Sequence, residues 1–442
     1  MRFVKWQQLC AVFKPDGEYY NLDRSLLMSL IRTSLLNAIA VAIRMLAMLG
    51  LNKVLAVLVG PAGYALFGQF QNAVTVINTF ASGAINTGVT KYTAEFQEDA
   101  AHQQRLWGTA GSISLACSIT AAVLIALFHQ SLAKLILGDE THAPVLLWLA
   151  GSLVLFVLNT LLMAILNGKK EVSLYVLANI STSIVTLLAT WFLAQTWGLQ
   201  GALIALSINQ SIVFFVTLTL CWRQDWFRFR YLLGRFDRDL AKKLAAYGLM
   251  AMVTAIVVPL SQILIRNHLV AEFGWEQTGM WQAVTRMSDV YLMLITTTLT
   301  VYYLPRLAEI KSRSELHQEI LKVYRFILPL TAFGAMLVYL LRDWIISLLF
   351  TQEFSAMREL LAWQLVGDVV KIGSWILGFV MLGRAMTKAY VWTEIIFACS
   401  LFALTYLLTP YFGLSASVIA FFINYVAYWI TTAFIVSQVK FD

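Results

Sequence analysis

Apolar residues run in long blocks along this chain, and the polar interruptions between them are short. The blocks fall at roughly 26–50, 62–94, 106–128, 143–167, 172–196 and 199–222. After a charged interval they resume at roughly 244–271, 276–305, 320–341, 356–383, 388–409 and 413–438. All are too long for strands, and most reach the ~20 residues an α-helix needs to cross a bilayer. Turn residues mark several junctions, among them Gly60-Pro61-Ala62-Gly63, Asn167-Gly168, Trp197-Gly198 and Thr409-Pro410. The pattern predicts an all-α polytopic membrane protein of twelve helices.

Composition agrees with that reading. Sixty per cent of residues are apolar and 13% charged, with a mean hydropathy of +0.73; a soluble domain carries about 25% charged residues. The four cysteines, Cys10, Cys117, Cys221 and Cys399, have no CxxC spacing, so neither a disulfide nor a metal site is expected. The first 25 residues mix Lys5, Lys14, Asp16, Glu18, Asp23 and Arg24 without a long apolar core, so no cleavable signal is expected.

The net charge of +8 follows topology and does not call for nucleic acid. With the N-terminus inside, twenty-three Lys and Arg fall on the inner side. Five fall outside or at the outer edge (Lys53, Lys134, Arg266, Arg342 and Arg358), and Arg32, Arg44, Arg286 and Lys371 lie within spans. That bias predicts both termini in the cytoplasm. The longest inner interval, 223–243, is strongly basic and reads as a solvated linker near anionic lipid. The expected organisation is a cytoplasmic segment 1–25, an N-lobe 26–222, the linker 223–243 and a C-lobe 244–442.

The two lobes read as copies. VTKYTAEF at 89–96 falls over YLPRLAEI at 303–310 with a shift of 214, matching Ala94 to Ala308 and Glu95 to Glu309. NGKKEVSLYV at 167–176 and WGLQGALIAL at 197–206 find partners at a shift of 215, and Asn209 then meets Asn424. Six helices per copy makes this a parallel repeat about an axis along the membrane normal, an arrangement that suits a transporter with a central site.

Charges inside the spans mark the candidate site. Arg286 and Asp289 sit three apart, as do Asp368 and Lys371, so each pair shares a helix face. Two readings stand open for both: a structural ion pair, or a polar face lining a cavity. At the repeat-equivalent positions the first half has Asn72, Thr75, Leu153 and Phe156. Arg44 lies deep in the first helix with no acidic neighbour in that span. Such arginines point to an anionic cargo, because a guanidinium fork suits phosphate oxygens. Glu394 falls near a span edge, where an interfacial place is as good a reading as a functional one. Pro259, Pro329 and the Gly83/Gly88 pair are candidate bends. No Walker A, HExxH or GxSxG motif is present, and the expected function is not enzymatic.

Over its whole length the chain resembles the Wzx-type polysaccharide flippases of the multidrug/oligosaccharidyl-lipid/polysaccharide exporter superfamily. The nearest branch is that of enterobacterial common antigen lipid III and O-antigen units. GPAGYALFGQF, NTGVTKYTAEF, WQAVTRMSDVYLMLITTTLTVYYLPRL and FSAMRELLAWQLVGDVVKIGSWILGFVML carry the resemblance. Gln71 departs from it: the pattern of the lipid III branch has an arginine in this part of the second helix. The resemblance implies two six-helix lobes in the bacterial inner membrane and alternating access. It also implies an undecaprenyl-diphosphate-linked oligosaccharide as cargo, and the expected accompaniments are a proton or sodium gradient for coupling and a polysaccharide polymerase and chain-length regulator as partners.

On that reading Arg44, Arg286 and Lys371 contact the diphosphate or an acidic sugar, and Asp289 and Asp368 orient them or carry a coupling proton. Trp281, Tyr291, Trp363 and Trp375 are candidates to stack on sugar rings, with ordinary packing the alternative. A cation-coupled multidrug exporter of the same superfamily would favour carboxylates in the cavity. A repeat-unit polymerase would favour a substantial outer loop, and the outer loops here are short. The topology is directly testable. Reporter fusions at the C-terminus and after Lys134 are expected to report opposite compartments; matching signals would contradict the charge bias.

Overall fold

The computed structural model describes residues 24–439 apart from 311 and 385. All but the last two residues of the expected 1–25 segment lie outside the described residues, as does the side chain of Arg32. The first half comprises α1 (Arg24–Leu58), α2 (Gly60–Ala81), α3 (Asn86–Glu95), α4 (Ala100–Leu127), α5 (His129–Leu137), α6 (Ala143–Gly168) and α7 (Val172–Trp222). The second comprises α8 (Arg238–Thr298), α9 (Leu304–Glu309), α10 (Arg313–Leu340), α11 (Arg342–Leu349), α12 (Arg358–Gly383), α13 (Thr387–Phe412) and α14 (Ala416–Ser437). No strand occurs among the described residues.

Among the described residues, seven stretches have the length and hydropathy of a membrane span. Two of them, Val172–Trp222 and Thr387–Ser437, are 51 residues long, far beyond the ~20 of a single crossing. Each turns at a glycine: Gly198 (φ 54, ψ −132) and Gly413 (φ 58, ψ −140). These two residues lie 215 apart and share one left-handed conformation that only glycine adopts cheaply. Gly60 (φ 66) and Gly274 (φ 79) form a second such pair, 214 apart. Gly274 splits α8 into arms 238–273 and 275–298. The shifts read from sequence are therefore the shifts of the turns that reverse the chain.

The candidate bends divide differently. Helix continues through Pro259 and Pro329. The long block expected over 62–94 breaks instead at Gly83 (φ 63) and Ala84 (φ 52), between α2 and α3. At the corresponding level of the second half, α8 passes through a π-helical turn, Leu299–Tyr303, before α9. Short amphipathic helices α5 and α11, which the hydropathy blocks do not predict, occupy equivalent places after α4 and α10.

The packing shows where the halves meet. One apolar cluster mixes both: Tyr64, Phe67 and Phe70 of α2 join Trp281 and Val284 of α8 with Phe350 and Phe354 of the 350–357 turn. The other two clusters each draw chiefly on one half, around Trp107 and Leu162 in the first and around Leu292 and Ile376 in the second. The halves thus join on the face carrying Gly60 and Gly274, and the start of α8 packs back on the first half, where Leu240 and Leu244 meet Ile85 and Val89.

Between helices in lipid there is little hydrophobic driving force, so association relies on close contact and polar bonds. Here α2 lies against the second arm of α8, and a Cβ on Gly279 would overlap the Pro61 carbonyl. A Cβ on Gly68 would come within 2.6 Å of Gln282 Cδ. Tyr64, Phe350 and Phe354 pack ring to ring at 5.1–6.1 Å, worth about 0.5–1.5 kcal/mol per pair.

The interval 223–243 is not a solvated linker. Phe227 and Leu232 are buried on α4, Trp226 packs edge-on against Trp107 at 5.8 Å, and Gly111 leaves room for the Leu232 carbonyl. Helix α8 begins already at Arg238, capped by Asp237, whose carboxylate accepts from the Leu240 and Asp239 amides. Those bonds hold the Asp237 carboxyl below the usual range. The basic side chains Arg228, Arg230 and Arg235 remain on the exposed side, so the charge bias and the docking coexist.

Candidate functional site

Below the shared cluster, a cavity of about 470 Å³ opens between α2 and the second half. It is lined from α2 by Gly68, Gln71, Asn72 and Thr75, and from both arms of α8 by Gln262, Arg266, Gln282, Arg286 and Asp289. Helices α12, α13 and α14 add Lys371, Trp375, Glu394, Asn424 and Tyr425. Three cations and two carboxylates therefore face one space.

Of the two readings left open for each charge pair, the ion pair is not the one found. Among the described residues no oppositely charged group lies within 4.0 Å of Arg286, Asp289, Asp368 or Lys371; the ion pairs present involve other residues. Arg286 instead gives its Nη2 to Gln71 Oε1 and lies over the rings of Tyr64 and Phe67, at 5.4 and 5.0 Å. Lys371 sits over Trp375, Phe421 and Tyr425, at 4.8, 5.6 and 5.7 Å. Aromatic faces give a desolvated cation ~2 kcal/mol, comparable with the ~2.5–3.5 kcal/mol cost of placing it at the bilayer centre. Such partners leave the cation's charge unneutralised. Asp289 lies deep in the molecule yet is exposed to the cavity.

Asp368 takes a different place from the one expected. It is fully buried, accepts from Tyr291 Oη at 2.7 Å and from Gln364 Nε2 at 3.1 Å, and does not line the cavity. Three of the four candidate aromatics also fall elsewhere. Tyr291 spends its hydroxyl on Asp368, and Trp281 is 4% exposed in the shared cluster beneath the Arg266 guanidinium. Trp363 is 44% exposed and packs on Phe422, outside the cavity. Trp375 alone of the four lines it. Helical spacing gives the shared face of each pair but not which neighbour each helix presents there.

The charge count puts Arg266 at the outer edge, whereas the side chain is buried between the halves, 1% exposed. It donates Nη1 to Gln69 Oε1 at 2.7 Å and Nη2 to Gln282 Oε1, while its Nε has no partner among the described residues. Gln69 in turn donates to Asn267 Oδ1 at 2.7 Å, so α2 is tied to both arms of α8. The signal that could have found Arg266 is the repeat. It stands at the Asn52 position, and Asn52 is itself buried and bonded to Tyr64 Oη at 2.9 Å. Eight residues separate it from the Gly274 turn, about 12 Å of helix.

Arg44 lies outside the charged cavity. It is exposed to a second cavity of about 330 Å³ inside the first half, and to a third of about 640 Å³. The third is bounded by α1, the start of α7, Met293, Thr296 and Thr297 of α8 and Thr300 of the π-helical turn, and includes Lys170. Gln71 and Thr75 line both the first and second cavities.

Residues 24–359 match a family described as polysaccharide biosynthesis protein. The lipid III flippase of Escherichia coli (strain K12) is 31% identical over 402 residues, spanning 91% of this chain and 97% of that relative. The lipid III flippase of Shigella flexneri matches equally. Among solved structures, the lipid II flippase MurJ in an inward closed conformation aligns with a TM-score of 0.72 at 13% identity, covering 93% of this chain and 88% of MurJ. An inward-facing MATE-family multidrug transporter aligns at 0.71 and 12% identity, covering 90% and 94%.

The unpaired arrangement predicts how the fold responds to substitution. Asp289→Asn is expected to leave the unfolding temperature of the purified protein within about 2 °C of wild type, because Asp289 holds no partner in place. Gln282→Leu, which strands a donor of the buried Arg266, is expected to cost about 1–3 kcal/mol. An equal loss in both variants, read by thermal unfolding in detergent, would restore the structural ion pair.

Proposed function

The chain belongs to the Wzx-type polysaccharide flippase family, and we propose that it moves an undecaprenyl-diphosphate-linked oligosaccharide from the inner to the outer leaflet of the bacterial inner membrane. The observation that carries this reading is the set of buried cations held by amides and aromatic faces. Arg286, Arg266 and Lys371 keep their charge available to an anion entering the cavity. A diphosphate has the oxygens to meet them, and Arg guanidinium forks suit it bidentately.

Arg44 stands at the seam between α1 and the second arm of α8, where a cargo with its polyprenyl chain left in lipid would enter sideways. Both termini would then lie in the cytoplasm, with the open face inward, and the two six-helix lobes would rock so that the α2–α8 contact opens as the inward face closes. Asp289 and Glu394, both at the cavity wall, are the carboxylates available to couple transport to a proton or sodium gradient; Asp368, sealed behind Tyr291, would act on Gln364 and the fold. The excess of cations over carboxylates speaks for an anionic cargo and against a cationic drug. A polysaccharide polymerase and a chain-length regulator would receive the unit on the far side.

Deleting the gene should make an undecaprenyl-diphosphate oligosaccharide accumulate on the inner leaflet, and surface glycan should return with the wild-type chain. Arg44→Lys keeps the charge without the fork and is expected to complement in part; Arg44→Ala and Arg286→Ala are expected to complement poorly at normal membrane abundance. Full complementation by both alanine variants, or no accumulated lipid in the deletion, would overturn the reading.

A further inference from the structure

The charged cavity and the 330 Å³ chamber of the first half are the same place in the two copies of the repeat. Their walls correspond position by position: Met48 with Gln262 at a shift of 214, Ser183 with Ala398 and Asn209 with Asn424 at 215. The chemistry of the two has diverged. Asp289 and Lys371 of the second half are Thr75 and Phe156 in the first, and the apolar pair Phe397 and Ala398 is Thr182 and Ser183. Apart from Arg44, the first-half chamber contains no charged residue and no carboxylate among the described residues.

Hydroxyls and amides lie there beside apolar surface from Phe67, Phe156 and Leu187. That is the mixture a sugar ring requires, with polar groups at its rim and an apolar wall for its face. The polar groups have capacity to spare. Thr182 and Ser183 donate to their own helix, to Ala178 O at 2.9 Å and Asn179 O at 3.1 Å, and keep their oxygens as acceptors. Gln210 accepts from Asn159 Nδ2 at 2.6 Å, and among the described residues its side-chain N–H groups have no partner. A cargo of diphosphate and glycan has two chemistries, and the repeat supplies two chambers joined at Gln71 and Thr75.

Resting on the flippase reading, we propose that the first-half chamber is a glycan subsite that takes the sugar rings distal to the diphosphate, while the charged cavity holds the diphosphate itself. Thr182, Ser183 and Gln210 are then specificity-determining residues for the oligosaccharide. The first sugar stays at the shared wall, and only a longer glycan reaches them.

The test uses the full chain in proteoliposomes with two fluorescent cargoes, lipid III and undecaprenyl diphosphate bearing a single N-acetylglucosamine. The Thr182→Val/Ser183→Ala double variant removes two hydroxyls whose protein partners are backbone carbonyls already inside a helix, so no buried donor is stranded. The KM for lipid III is expected to rise about tenfold, as two lost hydrogen bonds imply, and that for the single-sugar lipid to stay within about twofold. If the double variant inserts poorly, Ser183→Ala alone is expected to show the same selectivity with a smaller rise. An equal change for both cargoes, or no change for either, overturns the subsite. A wild-type chain that moves neither cargo overturns the flippase reading and the subsite with it.

Discussion

The contact on which the rest depends is the approach of α2 to the second arm of α8. Glycines at 68 and 279 let the two backbones come together, and Arg266 then ties α2 to both arms of α8 through Gln69 and Gln282. Both helices are the second transmembrane element of their own copy, each entered through a left-handed glycine, Gly60 or Gly274. Pairing equivalent helices across the pseudo-axis places equivalent residues on either side of one space. That space is the charged cavity, walled by Gly68, Gln71, Asn72 and Thr75 of α2 and by Gln282, Arg286 and Asp289 of the second arm of α8.

Polar rather than ionic bonding holds this contact together. A salt bridge across the halves in a dry interior would be costly to separate, since either partner alone becomes an uncompensated buried charge. Amide partners hold the guanidiniums of Arg266 and Arg286 in this state, and on the proposed reading they give way to anionic oxygens. The same choice keeps positive charge in the cavity uncancelled. It connects the packing of the halves to the chemistry of the cargo through the same side chains, Gln71 and Gln282, which sit between arginine and helix.

Much of this was legible in the sequence, and the failures have physical causes. The repeat was readable because reversing turns need glycine: Gly198 and Gly413 carry the shift of 215 in their backbone angles as well as in the letters. Arg286, Asp289, Lys371 and Trp375 were legible as cavity residues because polar groups within long apolar spans have few other tolerable places. Asp368 was not, because three-residue spacing says which face two side chains share and nothing about Tyr291 on the neighbouring helix. Arg266 escapes a hydropathy reading because the apolar block ends near it, while the helix runs on to Gly274. The docking of 223–237 on α4 was hidden by its arginines: Phe227 and Leu232 turn inward while the charges stay in water.

On the proposed reading, the α2–α8 seal is the gate that a bound lipid-linked oligosaccharide opens. Lys53 and Glu353 flank that seal; Lys53 Nζ reaches the Phe350 carbonyl at 3.5 Å, and Glu353 lies beside Gly60. Spin labels at these two positions, measured by double electron–electron resonance in proteoliposomes, report the gap directly. A single short distance is predicted without cargo, with a second, longer population growing as lipid III is added. One unchanging short distance at saturating cargo would contradict the account.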